Sequence, residues 1–165
     1  MNHGLPRLNH GLHHLLTPVF YPSFTSLVMR IRVRVRVKSL IMRSFNSHFM
    51  DFMNDLLSIF STNREIKSAL TSFEMVKRMN PSIVVKVWYS SICVPYHEII
   101  KSGDISFFFE KNYSDDLIDV PNANDIMSII DKIREPIKSM TPVNREHTMK
   151  YIQNLTDLSK AYAGV

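Results

Sequence analysis

The sequence predicts an all-α fold, an irregular bundle of five or six helices, and three observations support this prediction. Apolar residues recur at spacings of three and four along most of the chain after Met50. Residues that favour helix starts and stops separate these stretches, and no strand pair is apparent. The length of 165 residues, with 45% hydrophobic residues, fits one domain with a core of its own.

Charge divides the chain near Met50. Residues 1–49 contain seven Lys or Arg and no Asp or Glu, whereas residues 51–165 contain thirteen Lys or Arg and fifteen Asp or Glu. The net charge of +5 therefore resides in the first region, and the second region is mildly acidic. We predict a basic leader over 1–49, disordered or an unselected upstream extension, and a helical domain over 50–165.

Within the leader, basic and β-branched residues alternate strictly from Arg30 to Lys38. A period of two predicts a strand with one cationic face and one apolar face. Such an arm suits a phosphate backbone or an anionic membrane surface. Under the first of these hypotheses, the nucleic-acid-binding residues are Arg30, Arg32, Arg34, Arg36 and Lys38. The alternative interpretation is an Arg-Val repeat encoded by a simple tandem repeat, without function.

The first two helices of the domain are predicted from Asp51 onward. One stripe of the first contains Phe52, Met53, Leu56, Leu57 and Phe60. The residues from Thr62 to Glu65 have the form of a capping box, with Thr62 as the cap of the second helix. Asn80 and Pro81 end that helix and begin the next one. The apolar face between these signals consists of Ile66, Ala69, Leu70, Phe73 and Val76.

The stretch 83–100 begins with β-branched residues, yet its apolar positions fit one helical stripe. Pro95 predicts a kink in this helix, and Gly103 suits a left-handed stop. Asp104 then caps a short helix with three consecutive phenylalanines, 107–109, which we expect in the core.

Trp88 is the only tryptophan of the chain. We expect its ring to be buried against the phenylalanine cluster at 107–109. The alternative hypothesis makes Trp88 and Tyr89 an exposed anchor for a binding partner, because aromatic residues are enriched at the centres of protein interfaces.

The last two helices follow a predicted loop over 113–124. The first of them has a wide apolar face, made of Ile126, Met127, Ile129, Ile130 and Ile133. Pro136 ends or kinks it. Thr141 and Pro142 begin the final helix and Gly164 closes it. The apolar positions of that helix are Tyr151, Leu155, Leu158 and Tyr162.

Three groups of residues suggest catalysis or metal binding, but each lacks a residue or a scaffold that such a site requires. Residues 113–116 resemble the Tyr-x-Asp-Asp tetrapeptide of reverse transcriptases, which helps bind two metal ions, yet no earlier strand supplies a further aspartate. Cys93 and His97 are separated by Pro95, and no second cysteine completes a zinc set. The four histidines at 3, 10, 13 and 14 lie in the leader without a scaffold. We therefore expect no catalytic residue, no cofactor and no metal site.

A membrane anchor is disfavoured. Residues 8–29 lack Asp, Glu, Lys and Arg, but they contain three histidines, one asparagine and two prolines, which fit poorly in a bilayer core.

Four segments of the chain resemble segments of small proteins from nucleocytoplasmic large DNA viruses of protists. These segments are 104–110, 113–117, 133–138 and 149–156. The resemblance covers residues 50–165 and omits the leader. It implies a viral setting, with a location in the host cytoplasm or the virion, and it implies no activity.

Together these patterns favour a non-enzymatic helical protein-interaction module, as a viral structural or virus-factory component. Its expected partner is another protein or a second copy of the chain. The alternative is a nucleic-acid-associated protein that uses the Arg-rich arm at 30–38. Both hypotheses place the protein inside the cell.

Overall fold

The computed structural model of the protein describes residues 24–112, 114 and 123–165. The elements in this part of the chain are all helical, which confirms the predicted all-α fold. If the contiguous stretch 83–102 counts as one, the described residues form six helices, as predicted. The elements are α1 (Phe24–Ile59), α2 (Arg64–Met79), α3 (Ile83–Val87), a π-helical turn (Trp88–Cys93), α4 (Val94–Ser102), α5 (Phe107–Glu110), α6 (Ala123–Lys138) and α7 (Pro142–Gly164).

The bundle is organised around two helix pairs, α1 with α7 and α2 with α6. The first pair is antiparallel, since Tyr151 reaches Asp55 near the end of α1 while Tyr162 lies beside Lys38. The stretch from α3 to α4 packs across α7 and closes the core. The larger core cluster joins α1 to all of these elements, through residues that include Phe45, Phe49, Phe73, Val85, Ile129 and Leu155.

The predicted boundary at Met50 falls inside α1, which is a correction to the expected leader. Phe45 and Phe49 are almost completely buried, at 0% and 4% exposure, so the core begins before Met50. The boundary was predicted from charge, and charge follows solvent exposure rather than the limits of a fold. Met42, Phe45 and Phe49 follow each other at spacings of three and four. This spacing is the sequence signal that would have placed the helix start upstream of Met50. Residues 1–23 of the predicted leader lie outside the described residues.

The stretch from Arg30 to Lys38 is helical, so the predicted strand is wrong. A strand needs a neighbour for its backbone hydrogen bonds, and the described residues contain no strand. A helix satisfies its backbone within itself, and each residue added to an existing helix costs far less than a new start. The buried half of α1 supplies that start.

Two helix starts differ from prediction by one or two residues. The cap of α2 is Asn63, whose Oδ1 accepts from the backbone N–H groups of Glu65 and Ile66 at 2.8 and 3.1 Å, and Thr62 lies outside. Asn80 accepts from the Ser82 N–H at 3.2 Å, which orders a turn before α3. The predicted cap at Thr141 is confirmed, because its hydroxyl accepts from the Asn144 N–H at 3.3 Å.

The predicted distortion at Pro95 and the stop at Gly103 are both confirmed. The helix widens into the π-helical turn just before Pro95, and Tyr96 leaves helical geometry with φ −123° and ψ 16°. Gly103 adopts a left-handed φ of 81°. After it, the hydroxyl and the backbone N–H of Ser106 donate to Asp104 Oδ1 and lower the pKa of that carboxyl.

The three phenylalanines of α5 are half-buried, so the prediction that they lie in the core holds only in part. Phe108 and Phe109 pack on the core from outside. Phe107 lies against the ring of Tyr96, with the ring centroids 4.6 Å apart. Most of the predicted loop at 113–124 lies outside the described residues.

Candidate functional site

The amino-terminal part of α1, residues 24–37, extends beyond the bundle, and we call it the arm. The arm joins the bundle at Lys38, whose ammonium lies 4.8 Å from the ring centroid of Tyr162, near the end of α7. No residue of the arm is buried, and Phe24 and Met29 are 80% and 70% exposed. At about 1.5 Å per residue, the arm is roughly 20 Å long.

Helical geometry distributes the arginines of the arm over two opposite sides. Each helical residue turns by about 100°, so residues two apart differ by about 200°. Arg30 and Arg34 therefore form one row, and Arg32 and Arg36 form a second row about 180° away. All four side chains are exposed. The single cationic face that the sequence predicts for a strand becomes two cationic faces on a helix.

The fifth predicted nucleic-acid-binding residue, Lys38, has a different position. Its side chain is half-buried and its ammonium lies over the Tyr162 ring. A cation above an aromatic face is attracted to it by about 0.5–2 kcal/mol. Lys38 therefore contributes to holding α1 against α7, and the exposed cations of the arm are the four arginines.

Apolar side chains fill the two sides of the arm between the rows. Phe24, Val28, Ile31 and Val35 follow each other at spacings of four, three and four, and this stripe continues downstream into Met42, Phe45 and Phe49 of the core. Met29 and Val33 lie on the side opposite that stripe and are exposed. The arm is thus cationic on two sides and apolar on the other two.

No carboxylate neutralises the arginines from within the same helix. The first 50 residues contain no Asp or Glu, and the first carboxylate of α1 is Asp51. Fifteen helical residues separate it from Arg36, about 22 Å along the axis. That separation exceeds the Debye length of about 8 Å at physiological ionic strength. The arm therefore presents concentrated positive charge on a chain whose residues 51–165 are mildly acidic.

Trp88 and Tyr89, the predicted alternative partner site, are both half-buried. The Trp88 ring packs edge-on against Phe45 and Phe49, with ring centroids 5.9 and 6.1 Å away. Its Nε1–H donates to Thr156 Oγ1 at 3.1 Å. Trp88 thus joins α1 to α7, and the aromatic rings that it contacts edge-on belong to α1 rather than to the cluster at 107–109 that the sequence predicts.

A small apolar cavity of about 70 Å³ borders Trp88. Isoleucines and phenylalanines make up most of its lining, among them Ile92, Ile133 and Phe109. The one charged lining residue is Arg134, whose guanidinium donates to the Lys111 carbonyl at 2.8 Å and lies 3.7 Å from Asp131. This lining supplies neither a nucleophile nor a general base.

A polar cluster on the α1–α7 interface was not predicted from the sequence. The Tyr151 hydroxyl donates to Asp55 Oδ2 at 2.8 Å, and His147 Nδ1 lies 3.8 Å from the same oxygen. Burial and the hydrogen bond to Asp55 raise the pKa of Tyr151 to about 12. Tyr151 also packs against His48, with ring centroids 4.9 Å apart. His48 and Asp55 lie on α1, and His147 and Tyr151 lie on α7. Asp55 and Tyr151 are 96 positions apart in the chain, so no local pattern brings the two pairs together.

The residues considered for catalysis or metal binding are not brought into a site. Cys93 is buried at the end of the π-helical turn, and His97 is half-buried in α4. Within the described ranges, no group of three His, Cys, Asp or Glu side chains converges to hold a metal ion. The histidines at 3, 10, 13 and 14 and most of the acidic tetrapeptide at 113–116 lie outside those ranges.

None of the helices in the described ranges combines the length and the hydropathy that spanning a bilayer requires. Comparison of the chain with protein-family models, curated proteins and solved structures finds no match. The resemblance to viral proteins therefore stays a prediction.

Proposed function

We propose that this protein associates with nucleic acid and that the arm is its binding element. The observation that supports this function is the set of four exposed arginines on a helix segment with no buried residue and no carboxylate. A polyanion gains from such a surface because each neutralised phosphate releases condensed counterions. The body of the protein holds α1 in place, and the arm makes the contacts.

The experiment is a titration of a fluorescent oligonucleotide with the full chain at several salt concentrations. Four phosphate contacts predict a slope of log K against log salt of about −3.6 for a duplex. Replacing Arg30, Arg32, Arg34 and Arg36 with Gln should remove most of that slope. The matched control replaces four exposed cations of the body with Gln and should leave most of the slope in place; these are Arg64, Lys67, Lys101 and Lys160. Equal losses in the two variants would refute the proposal.

A second candidate function, a protein-interaction module, is favoured by the apolar residues on the same arm. Phe24, Ile31 and Val35 remain 80%, 54% and 63% exposed, in line with a stripe that is buried further along α1. A partner helix could extend that packing. If this function is the correct one, sedimentation shows association with another protein or with a second copy of the chain. The double variant Ile31→Ser with Val35→Ser abolishes that association, and a higher salt concentration leaves it intact.

A further inference from the structure

We infer that the arm binds in the major groove of double-stranded DNA, with one arginine row on each phosphate wall. This inference rests on the proposed function and specifies its ligand. The observation behind it is the juxtaposition of Arg30 and Arg34 on one side of α1 with Arg32 and Arg36 on the other.

The two opposite rows distinguish between anionic ligands by shape. A membrane surface, an acidic helix or a single strand meets a helix along one side and leaves the opposite row in solvent. A groove encloses a helix and offers phosphates on both sides at once. The arm is therefore matched to a ligand with two anionic walls, and a grooved duplex is such a ligand.

The dimensions favour B-form DNA over RNA. A helix with its side chains is about 10–12 Å across, and the major groove of B-DNA is about 12 Å wide and 8.5 Å deep. The major groove of A-form RNA is too narrow for side chains to read, and its wide groove is shallow. The length of the arm, roughly 20 Å, spans about half a turn of B-DNA at 3.4 Å per base pair.

The body of the protein sets which side of the arm faces the bases. The buried stripe of α1, with Phe45 and Phe49, turns toward the bundle, so the bundle lies on that side of the helix axis. Insertion with the opposite side inward keeps the bundle clear of the duplex. That side carries Met29 and Val33, whose apolar groups suit the thymine methyl groups on the groove floor. The two arginine rows then lie on either side of the inward face, centred at about 100° and about 60° from it.

The test compares two double variants of equal charge in the full chain, Arg30→Gln with Arg34→Gln and Arg32→Gln with Arg36→Gln. Glutamine is a good helix former, so circular dichroism should show the same helix content in both. The wild type and each variant are titrated with a 16-base-pair DNA duplex, the RNA duplex of the same sequence, the single DNA strand and phosphatidylserine vesicles. Dimethyl sulfate footprinting on the DNA duplex adds a direct readout, because it methylates guanine N7 in the major groove and adenine N3 in the minor groove.

The inference predicts that each variant weakens binding to the DNA duplex by a similar factor and lowers the salt slope by about 1.8. It also predicts at least tenfold weaker binding to the RNA duplex and protection of guanine N7 without adenine N3. Loss confined to one row, equal affinity for the three nucleic acids, or protection of adenine N3 alone would overturn the groove assignment and leave nucleic-acid binding intact. Absence of salt-dependent binding to all three, or binding to phosphatidylserine vesicles instead, would refute the proposed function as well.

Discussion

Asp55 and Tyr151 are 96 positions apart in the chain, yet their side chains share a hydrogen bond of 2.8 Å. Trp88 and Thr156 form a similar link, with 68 positions between them. Each bond satisfies a polar group on the edge of the core, where an unsatisfied donor or acceptor would cost about 1–3 kcal/mol. These pairs tie α7 to the rest of the bundle at single residues.

The Tyr151 hydroxyl makes the stability of the protein depend on pH in the alkaline range. The folded state holds its proton more tightly than the unfolded chain, because the pKa is raised from 10.0 to about 12. The contribution is therefore complete below about pH 10 and is lost as the pH rises to about 12. Denaturation of the wild type and of Tyr151→Phe between about pH 10 and about pH 12 measures this contribution to stability.

The free energy of unfolding of the wild type should decline between these pH values as the Tyr151 hydroxyl loses its proton. We expect Tyr151→Phe to lack this part of the decline. Asp55→Asn should bring the pKa of Tyr151 back toward its ordinary value in an ultraviolet titration of the phenol, because it removes the carboxylate charge. Parallel pH curves for the wild type and Tyr151→Phe would contradict this assignment.

Gly103 is the residue at which backbone geometry alone restricts the side chain. Its φ of 81° is a left-handed conformation that costs other residues about 1–2 kcal/mol, while a Cβ at this position would meet no neighbouring atom. Gly103→Ala should therefore lower the free energy of unfolding by about that amount. Gly164→Ala is the matched control, since a Cβ there also meets open space and the residue lies at the end of α7. Equal effects would show that φ at Gly103 is not the cause.

At the scale of elements, α1 is one continuous helix with two different halves. The downstream half is an ordinary core helix, with Phe45, Phe49, Phe52, Met53 and Leu56 buried. The upstream half, the arm, has the same backbone and no buried side chain. Helix propagation from a packed segment accounts for this, because extension costs much less than nucleation.

Two phenylalanines of α1 provide a direct comparison of its halves. Phe45 is completely buried, so Phe45→Ala should cost about 3–5 kcal/mol of stability through lost burial and the cavity left behind. Phe24 is exposed, so Phe24→Ala should change stability by no more than about 0.5 kcal/mol. Urea denaturation of both variants measures the difference. A large loss for Phe24→Ala would mean that the arm packs against the rest of the chain.

At the scale of the whole molecule, Lys38 lies over the ring of Tyr162 on α7, and the buried residues of α1 begin at Phe45. A chain without residues 1–37 keeps the contact between Lys38 and Tyr162 and every buried residue of α1. We expect its thermal midpoint to stay within a few degrees of that of the full chain. A chain without residues 1–49 loses Phe45 and Phe49, at about 3–5 kcal/mol each.

That loss is comparable with the total stability of a domain, about 5–15 kcal/mol, so the shorter chain should not unfold cooperatively. Calorimetry of both shortened chains distinguishes these outcomes. A cooperative transition at the original midpoint for the chain that begins at Met50 would restore the boundary that the charge pattern predicts.

Local patterns predicted most of the helices. The three-and-four spacing located α2, α6 and α7, because an amphipathic helix that packs on one side records its buried face in the sequence. Pro95 and Gly103 were predicted correctly because their backbone restrictions do not depend on the surroundings. The segment 30–38 was predicted incorrectly as a strand. A period of two places alternate residues on opposite faces only if the segment is a strand, and the pattern does not by itself make it one.

The sequence by itself determined the all-α class, the core faces of its amphipathic helices and the concentration of positive charge before residue 50, since these depend on residue type and spacing. Only the tertiary structure decided where the fold begins, since the burial of Phe45 and Phe49 depends on Trp88 and Phe73 far along the chain. It also decided that the arginines lie on two sides of a helix. The backbone of that segment is continuous with a helix held in place by contacts that no local pattern records.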